Sequence, residues 1–389
     1  MKGKRVLLLS VSAGHGHVRA AEGLAAGIET WFPGHESHHI DLMSLVPALF
    51  NKAYKGSYLK LIRSHPRVWG YIYDKADRFQ RDSRTENLRR GIESTCNKKL
   101  LPIIAEYQPD HIICTHFMPI QFLTRWKQKG RISTPIWSCI TDFVAHRFWL
   151  EPGLDGHFTA DEENVWRMRS RGLENERIFA TGIPVLPTFI PPRDKEQRKA
   201  AGREARDRFG LGRACPVILM MGGGAGVGNM LDLARRLFAL PAEFHLVVLA
   251  GQNKTLLAEL EREKAGFNGR LHPMGFTDEV PALLAASDLV ISKPGGLTTV
   301  ECLAMGKPML VYSPIPGQEE QNADLLLENG AAMKAPDSFG LVWRVGQLLE
   351  QPERLTRLAE NAAALGKPYA ARDILAQVLG ETPAAGPGL

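Results

Sequence analysis

The chain has 389 residues, enough for two or three domains with ample core. Its 44% hydrophobic and 23% charged residues are those of an ordinary globular chain, and no apolar run approaches the roughly 18 residues of a spanning helix. The net charge of +6 is concentrated: residues 51–100 hold thirteen Lys or Arg against five Asp or Glu.

The start, MKGKRVLLLSVSA, mimics a secretory signal, but its apolar run is short and continues into Gly-His-Gly-His and an amphipathic helix. A buried first strand over residues 4–10, and a cytoplasmic chain, are therefore expected. Val18, Ala21, Leu24, Ala25 and Ile28 keep helical spacing, so a helix follows and ends near Pro33. His38–Asp41 reads as a second strand. The alternation then stops for about fifty residues of basic, aromatic sequence containing Tyr54, Tyr58, Trp69, Tyr71, Tyr73 and Phe79. Basic charge interleaved with interfacial aromatics suits an anionic membrane surface. Nucleic acid is the competing electrostatic reading.

The alternation resumes with a helix ending near Tyr107, a strand at His111–Thr115, a helix from about Phe117 and a strand at Pro135–Ile140. Further short units end with the strand Arg177–Thr181. Gly182-Ile-Pro and Pro187, Pro191 and Pro192 then mark a hinge, followed by a charged helix at Asp194–Arg208. The second half restarts the pattern, with strands at Pro216–Met221, Phe244–Ala250, Leu271–Met274, Asp288–Ser292 and Pro308–Tyr312 and a short helix at Leu297–Met305. An α/β architecture therefore occurs twice. Two Rossmann-like parallel-sheet domains facing across a cleft is the GT-B arrangement.

Ligands of parallel sheets bind beyond the carboxyl ends of strands. Several loops qualify. Met221-Gly-Gly-Gly-Ala-Gly-Val-Gly-Asn229 follows a strand and opens a helix, a phosphate-cradling context, yet it is neither G-x-G-x-x-G nor a P-loop. In Lys293-Pro-Gly-Gly, Gly295 and Gly296 admit close backbone approach, and the next helix offers unpaired N–H groups to an anion. Glu301 lies one turn beyond Thr298, near that anion site. Gln318, Glu319, Glu320, Gln321 and Asn322 open a helix after Pro-Gly and suit the hydroxyls of a hexose; a merely solvated acidic first turn is the plainer reading. In Ser12-Ala-Gly-His-Gly-His17, His15 and His17 stand at a helix N-terminus, where the dipole lowers an imidazole's pKa; a general base and a capping or phosphate-binding histidine are both open. Asp41 is set aside as a ribose acid, because Gly14-x-Gly16-x-x-Arg19 lacks the third glycine. Asp142 ends a strand, with His146 and Trp149 after it; it either orients a catalytic group or caps the next segment.

His35, His38 and His39 straddle a strand start without regular partner acids and read as surface residues, and no D-x-D occurs. The five cysteines (Cys96, Cys114, Cys139, Cys215, Cys302) are odd in number and widely spaced, which favours reduced, mostly buried thiols over disulfides or zinc.

The elements GF-x₃-V, S-K-P-G-G-x-T and P-G-Q-E-x-x-N of Gly275–Asn322 resemble the donor domain of glycosyltransferase family 28. SAGHGHVRAAEGL, YKGSYLKLIRSHPRVWGYIYD, TDFVAHRFW and TGIPV resemble its diacylglycerol branch, the monogalactosyldiacylglycerol synthases and processive diacylglycerol glucosyltransferases. The resemblance covers most of residues 5–375. It implies inverting, metal-independent transfer of a hexose from a UDP-sugar, which is a substrate and not a cofactor, to diacylglycerol at the cytoplasmic membrane face, with no nucleic-acid partner. By matching positions, Phe276 and Thr277 border the uracil. Gly223, Gly224 and the Gly295–Thr298 turn hold the diphosphate. Glu301 takes the ribose hydroxyls, Glu319, Glu320 and Gln321 reach the sugar, and His17 is the base. Gln318 is expected beside them at the donor site, and Asp142 is expected to orient His17. The family often shows a small residue pair where this chain has Glu320-Gln321, which bears on glucose against galactose.

The implied layout is an acceptor and membrane-binding domain over 1–187 with a basic insertion at about 43–90, and a UDP-sugar domain over 188–365. A C-terminal helix over 366–381 would return to the first domain, and 382–389 would be a disordered tail. His15, Tyr54, Lys55, Tyr58, Lys60, Arg63 and Trp69 would meet the acceptor and membrane. A polyprenyl-linked acceptor and a UDP-sugar 2-epimerase, an isomerase on the same architecture, are the rival readings.

Overall fold

The computed structural model describes residues 3–12, 14–46, 98–174, 176–222 and 230–386. The chain divides into two compact units. One is Met1–Pro187 with Pro316–Gln318 and Tyr369–Gly386; the other is Thr188–Ile315 with Glu319–Pro368.

The first unit opens with β1 (Arg5–Ser10), α1 (His15–Trp31), β2 (Glu36–Asp41) and the single turn α2 (Leu42–Leu45). After the undescribed stretch come α3 (98–107), β3 (His111–Cys114), α4 (Phe117–Gln128), β4 (Ile136–Cys139), β5 (Gly156–Phe158), α5 (Glu162–Ser170) and β6 (Ile178–Phe179). The six strands are parallel, in the order β2-β1-β3-β4-β5-β6. Val6 through Leu9 of β1 are fully buried, as expected of a strand covered on both faces by helices. The order reverses between β1 and β3, so the loops after these two strands flank a crevice at their carboxyl ends.

The second unit runs α6 (Lys195–Arg208), β7 (Val217–Met221), α7 (Met230–Phe238), β8 (His245–Gly251), α8 (Lys254–Glu263), β9 (Leu271–Gly275), α9 (Val280–Ala286), β10 (Leu289–Ser292), α10 (Gly296–Ala304), β11 (Met309–Tyr312), α11 (Gln318–Glu328), β12 (Ala332–Ala335), α12 (Ser338–Glu350) and α13 (Pro352–Leu365). Its parallel sheet is ordered β12-β11-β10-β7-β8-β9, the doubly wound Rossmann order, with its switch between β7 and β10. Ser292 Oγ donates to the Met221 carbonyl at 3.1 Å and ties the ends of these two strands together. The core beneath is Ile218, Met220, Leu246, Val248, Leu289, Ile291 and Leu310 with the inner faces of α7 and α12.

Helix α14 (Ala370–Leu379) packs on α1 of the first unit. Its Ile374, Leu375, Val378 and Leu379 are buried, and a Cβ placed on Gly27 of α1 would come to 3.0 Å from Leu375 Cδ1. Where the sequence suggests disorder from residue 382, the chain instead stays against α1 to Gly386. The Ala384 N–H donates to the Trp31 carbonyl at 2.7 Å, satisfying a carbonyl at the end of α1 that has no partner within the helix. His35, expected at the surface, is part of the same clasp. Its Nδ1 accepts from the Lys4 N–H at 3.1 Å, and its Nε2 lies 3.0 Å from Glu381 Oε2.

Candidate functional site

In the first unit the candidate groups gather at the switch between β1 and β3. Helix α1 starts from Gly14 in an extended conformation with no side-chain cap, so its first-turn N–H groups are not taken up by a capping side chain. His15 is exposed on the first turn and His17 is half-buried two residues on. His17 Nδ1 lies 2.9 Å from the main-chain carbonyl of Thr115, just beyond β3, and 2.7 Å from Thr141 Oγ1, just beyond β4. Thr115 Oγ1 donates in turn to the His17 carbonyl at 2.8 Å, bracing the helix start against the strand end.

His116 packs edge-on against the His17 ring with centroids 4.5 Å apart, and Trp149 stands 6.5 Å away. Burial holds the His17 pKa below the ordinary imidazole value, while the Asp142 charge and the Thr115 carbonyl pull it upward. His116 is pushed down further, by burial and by His17. Desolvation thus lowers the His17 pKa in the same direction that the sequence expects from the helix dipole. Asp142 is buried, and burial raises its carboxyl pKa against His17, the Trp149 hydrogen bond and His146. Its Oδ2 accepts from Trp149 Nε1 at 2.7 Å.

The Asp142 charge favours the protonated form of His17. The positions at Nδ1, expected for a carboxylate, are held by the Thr115 carbonyl and Thr141 Oγ1. The His146 ring caps the short turn Arg147–Trp149, which seats Trp149 under Asp142. Asp41 has a structural role, as its Oδ1 accepts from the N–H groups of Ser12 and Met43.

In the second unit the described groups gather beyond β9, β10 and β11. Phe276, just after β9, is 71% exposed, a large aromatic face open to stacking. Thr277 Oγ1 accepts from the Glu279 N–H at 3.0 Å and fixes the turn into α9. Gly295 caps α10 without any side-chain hydrogen bond, and Gly296 and Thr298 lie in its first turn, where backbone N–H groups lack helical partners. A Cβ at Gly295 would meet only Glu319 Oε1, at 4.0 Å. Glu301 is buried on the next turn.

The first turn of α11 carries Glu319, Glu320 and Gln321, after Gln318, which is counted with the first unit. Glu319 Oε2 accepts from the Ile315 N–H at 2.7 Å, pinning the loop between β11 and α11, and burial raises its carboxyl pKa. That loop is strained at its start, with Ser313 at φ +52°. Asn322 Nδ2 donates to the Pro294 carbonyl at 2.8 Å, so α11 also holds the turn before α10.

Gly223 and Gly224 lie outside the described residues, as do Tyr54, Lys55, Tyr58, Lys60, Arg63 and Trp69. Among the described residues, no group of three or more His, Cys, Asp or Glu could hold a metal ion, and no helix is long and apolar enough to cross a membrane. Cys114, Cys139 and Cys302 are buried free thiols. Sequence reasoning missed Thr115, Thr141 and His116, whose only signal was their place at strand ends beside residues already singled out. It also missed Asn322 as a brace of the glycine turn.

Two families match the chain in succession. Residues 17–185 match the monogalactosyldiacylglycerol (MGDG) synthase family, and residues 224–365 match glycosyl transferases group 1. A processive diacylglycerol beta-glucosyltransferase from Bacillus pumilus is 27% identical over 384 residues, covering 97% of this chain and 94% of its own. The protein of that name from Bacillus subtilis is also 27% identical, covering 97% of this chain and 96% of its own.

Solved structures share the fold at low identity. A UDP-GlcNAc 2-epimerase from Neisseria meningitidis is 14% identical with TM-score 0.59, covering 97% of this chain and all of its own. MurG from Acinetobacter baumannii is 15% identical with TM-score 0.59 and the same coverage. A UDP-glucosyltransferase from Polygonum tinctorium is 13% identical with TM-score 0.63, covering 98% and 99%. The fold is GT-B.

Proposed function

We propose that this chain, a glycosyltransferase related over nearly its whole length to the diacylglycerol branch of family 28, transfers a hexose from a UDP-sugar to the hydroxyl of 1,2-diacylglycerol at a membrane surface. The observation that carries the reading is His17. It is a half-buried imidazole at the switch point of the first sheet, with Nδ1 satisfied and a lowered pKa, so the neutral base form persists to lower pH. A match of residues 17–185 to the MGDG synthase family and of residues 224–365 to group 1 supports an acceptor side in the first unit and a donor side in the second.

In this mechanism the lipid hydroxyl attacks the anomeric carbon from the face opposite UDP, and the configuration inverts. His17 removes the hydroxyl proton. The diphosphate leaves with the electron pair of its bond to the sugar, and its charge develops against the first turn of α10, where Gly295, Gly296 and Thr298 present N–H groups. That stabilisation does the work a metal ion does elsewhere. Phe276 and Thr277 border the uracil, Glu301 takes the ribose hydroxyls, and Gln318, Glu319, Glu320 and Gln321 face the sugar. Gly223 and Gly224 complete the phosphate cradle, and the basic segment with Tyr54, Lys55, Tyr58, Lys60, Arg63 and Trp69 rests on anionic lipid. The names of the relatives make UDP-glucose the first donor to try.

A matrix of UDP-glucose, UDP-galactose and UDP-N-acetylglucosamine against diacylglycerol vesicles, with and without chelator, tests the reading. It expects a glycosyldiacylglycerol of inverted anomeric configuration in the chelated sample. Epimer formed from UDP-sugar alone, with no lipid product, overturns it in favour of a 2-epimerase.

A further inference from the structure

We infer that Thr141, together with the main-chain carbonyl of Thr115, is the device that orients His17, in the place where a carboxylate is ordinarily expected. The inference rests on His17 as the base of the proposed transfer. A main-chain carbonyl can only accept, so the nitrogen 2.9 Å from Thr115 O carries the proton, and the neutral ring is the Nδ1–H tautomer. Nε2 then carries the lone pair. Thr141 Oγ1, 2.7 Å from the same Nδ1, is the second acceptor for that proton.

Asp142, next in sequence and buried beside the ring, has its Oδ2 on Trp149 Nε1. It supplies charge to the site without fixing the tautomer. The groups facing the imidazole are thus Thr115 and His116 from the end of β3, Thr141 and Asp142 from the end of β4, and Trp149 from the turn after it.

The step they serve balances simply. The acceptor hydroxyl proton moves to Nε2 and the hydroxyl oxygen bonds the anomeric carbon. The bond from that carbon to the diphosphate oxygen breaks, with its electron pair leaving on UDP. During the step Nδ1–H gains positive character, and two oxygen acceptors share it. Thr141→Val is nearly isosteric and removes one of them. It makes the imidazolium less favourable, so the His17 pKa drops further and the ring is less firmly held.

The test uses the full chain on diacylglycerol vesicles, comparing wild type, Thr141→Val, Thr141→Ser, Asp142→Asn and His17→Ala. It reads kcat and KM separately, the pH profile of kcat/KM, and the ¹⁵N resonances of the His17 ring. Loss of one neutral hydrogen bond predicts a kcat lower by about 3–10-fold in Thr141→Val with KM little changed. The acid limb moves to lower pH, and Thr141→Ser restores both. The ¹⁵N pattern of wild type and of Asp142→Asn is that of the Nδ1–H tautomer. If Thr141→Val keeps the wild-type kcat and acid limb while His17→Ala is inactive, the orienting role of Thr141 is wrong and the base reading stands. A tautomer that changes in Asp142→Asn also overturns the inference. If His17→Ala keeps near-wild-type transfer, the base reading itself falls and takes this inference with it.

Discussion

His17 is the residue on which the proposed transfer turns. Substituting it with alanine is expected to lower kcat by about 10²–10⁴-fold while leaving the fold intact, checked by turnover alongside circular dichroism. Because burial lowers its pKa, the acid limb of kcat/KM is expected below the ordinary imidazole value of about 6.5. A limb at or above that value would show that burial does not govern the group. Glu319 offers a second test on the donor side. One oxygen pins the Ile315 N–H and the other lies beside Gly295. Glu319→Ala is expected to raise the donor KM several-fold, in line with the roughly 1.5–3 kcal/mol of a hydrogen bond to a charged group, and to lower the protection of the 313–317 amides in hydrogen exchange. The sequence singled out both residues by their place after a strand. Asp142 and Thr141 are adjacent, and local pattern does not tell which of them lies on His17 Nδ1.

Helix α1 places the histidine, so its seating governs the site. Gly23 is the tight point. A Cβ there would come within 2.9 Å of the Val185 carbonyl carbon and oxygen, which are backbone atoms that cannot turn aside. Gly23→Ala should therefore lose stability despite alanine's better helix propensity, by about 1–3 kcal/mol in chemical denaturation, and should reduce turnover by tilting the helix that carries His17. At Gly14 and Gly16, by contrast, an added Cβ would meet no atom of the chain within 4 Å, so chain crowding does not demand glycine there. Most elements were legible from their patterns, including β1, β7, β8 and β10. Strand β12, Ala-Met-Lys-Ala, was not. It has no β-branched or aromatic residue and lies at the sheet edge, where pairing with β11 creates it and propensity does not. Likewise β5 is three residues long, too short for alternation to register.

For the whole molecule, acid is the informative perturbation. His157 is fully buried with its pKa lowered to about 4, and His116 is lowered well below its ordinary value. Between pH 6.5 and 4 the unfolded chain binds protons that these folded sites refuse. Stability is therefore expected to fall as pH falls through that window, each such site adding up to about 1.4 kcal/mol per pH unit, measured by urea midpoints across the range. His157→Asn should flatten the slope. The basic segment makes a separate prediction: reversing Lys52, Lys55, Lys60 and Arg63 should weaken binding to anionic vesicles, and unchanged flotation would end its assigned role.

The sequence by itself determined the repeated β/α plan, the glycine turns before helices and the histidine at a helix start. Apolar runs, turn residues and helix periodicity are written within a few residues of one another. Only the tertiary structure decided the strand orders that create the two switch points and the partners of His17. Thr115 and Thr141 stand 98 and 124 residues from His17. Parallel strands bring their carboxyl ends together only through long crossovers, so no local pattern records which residues meet there.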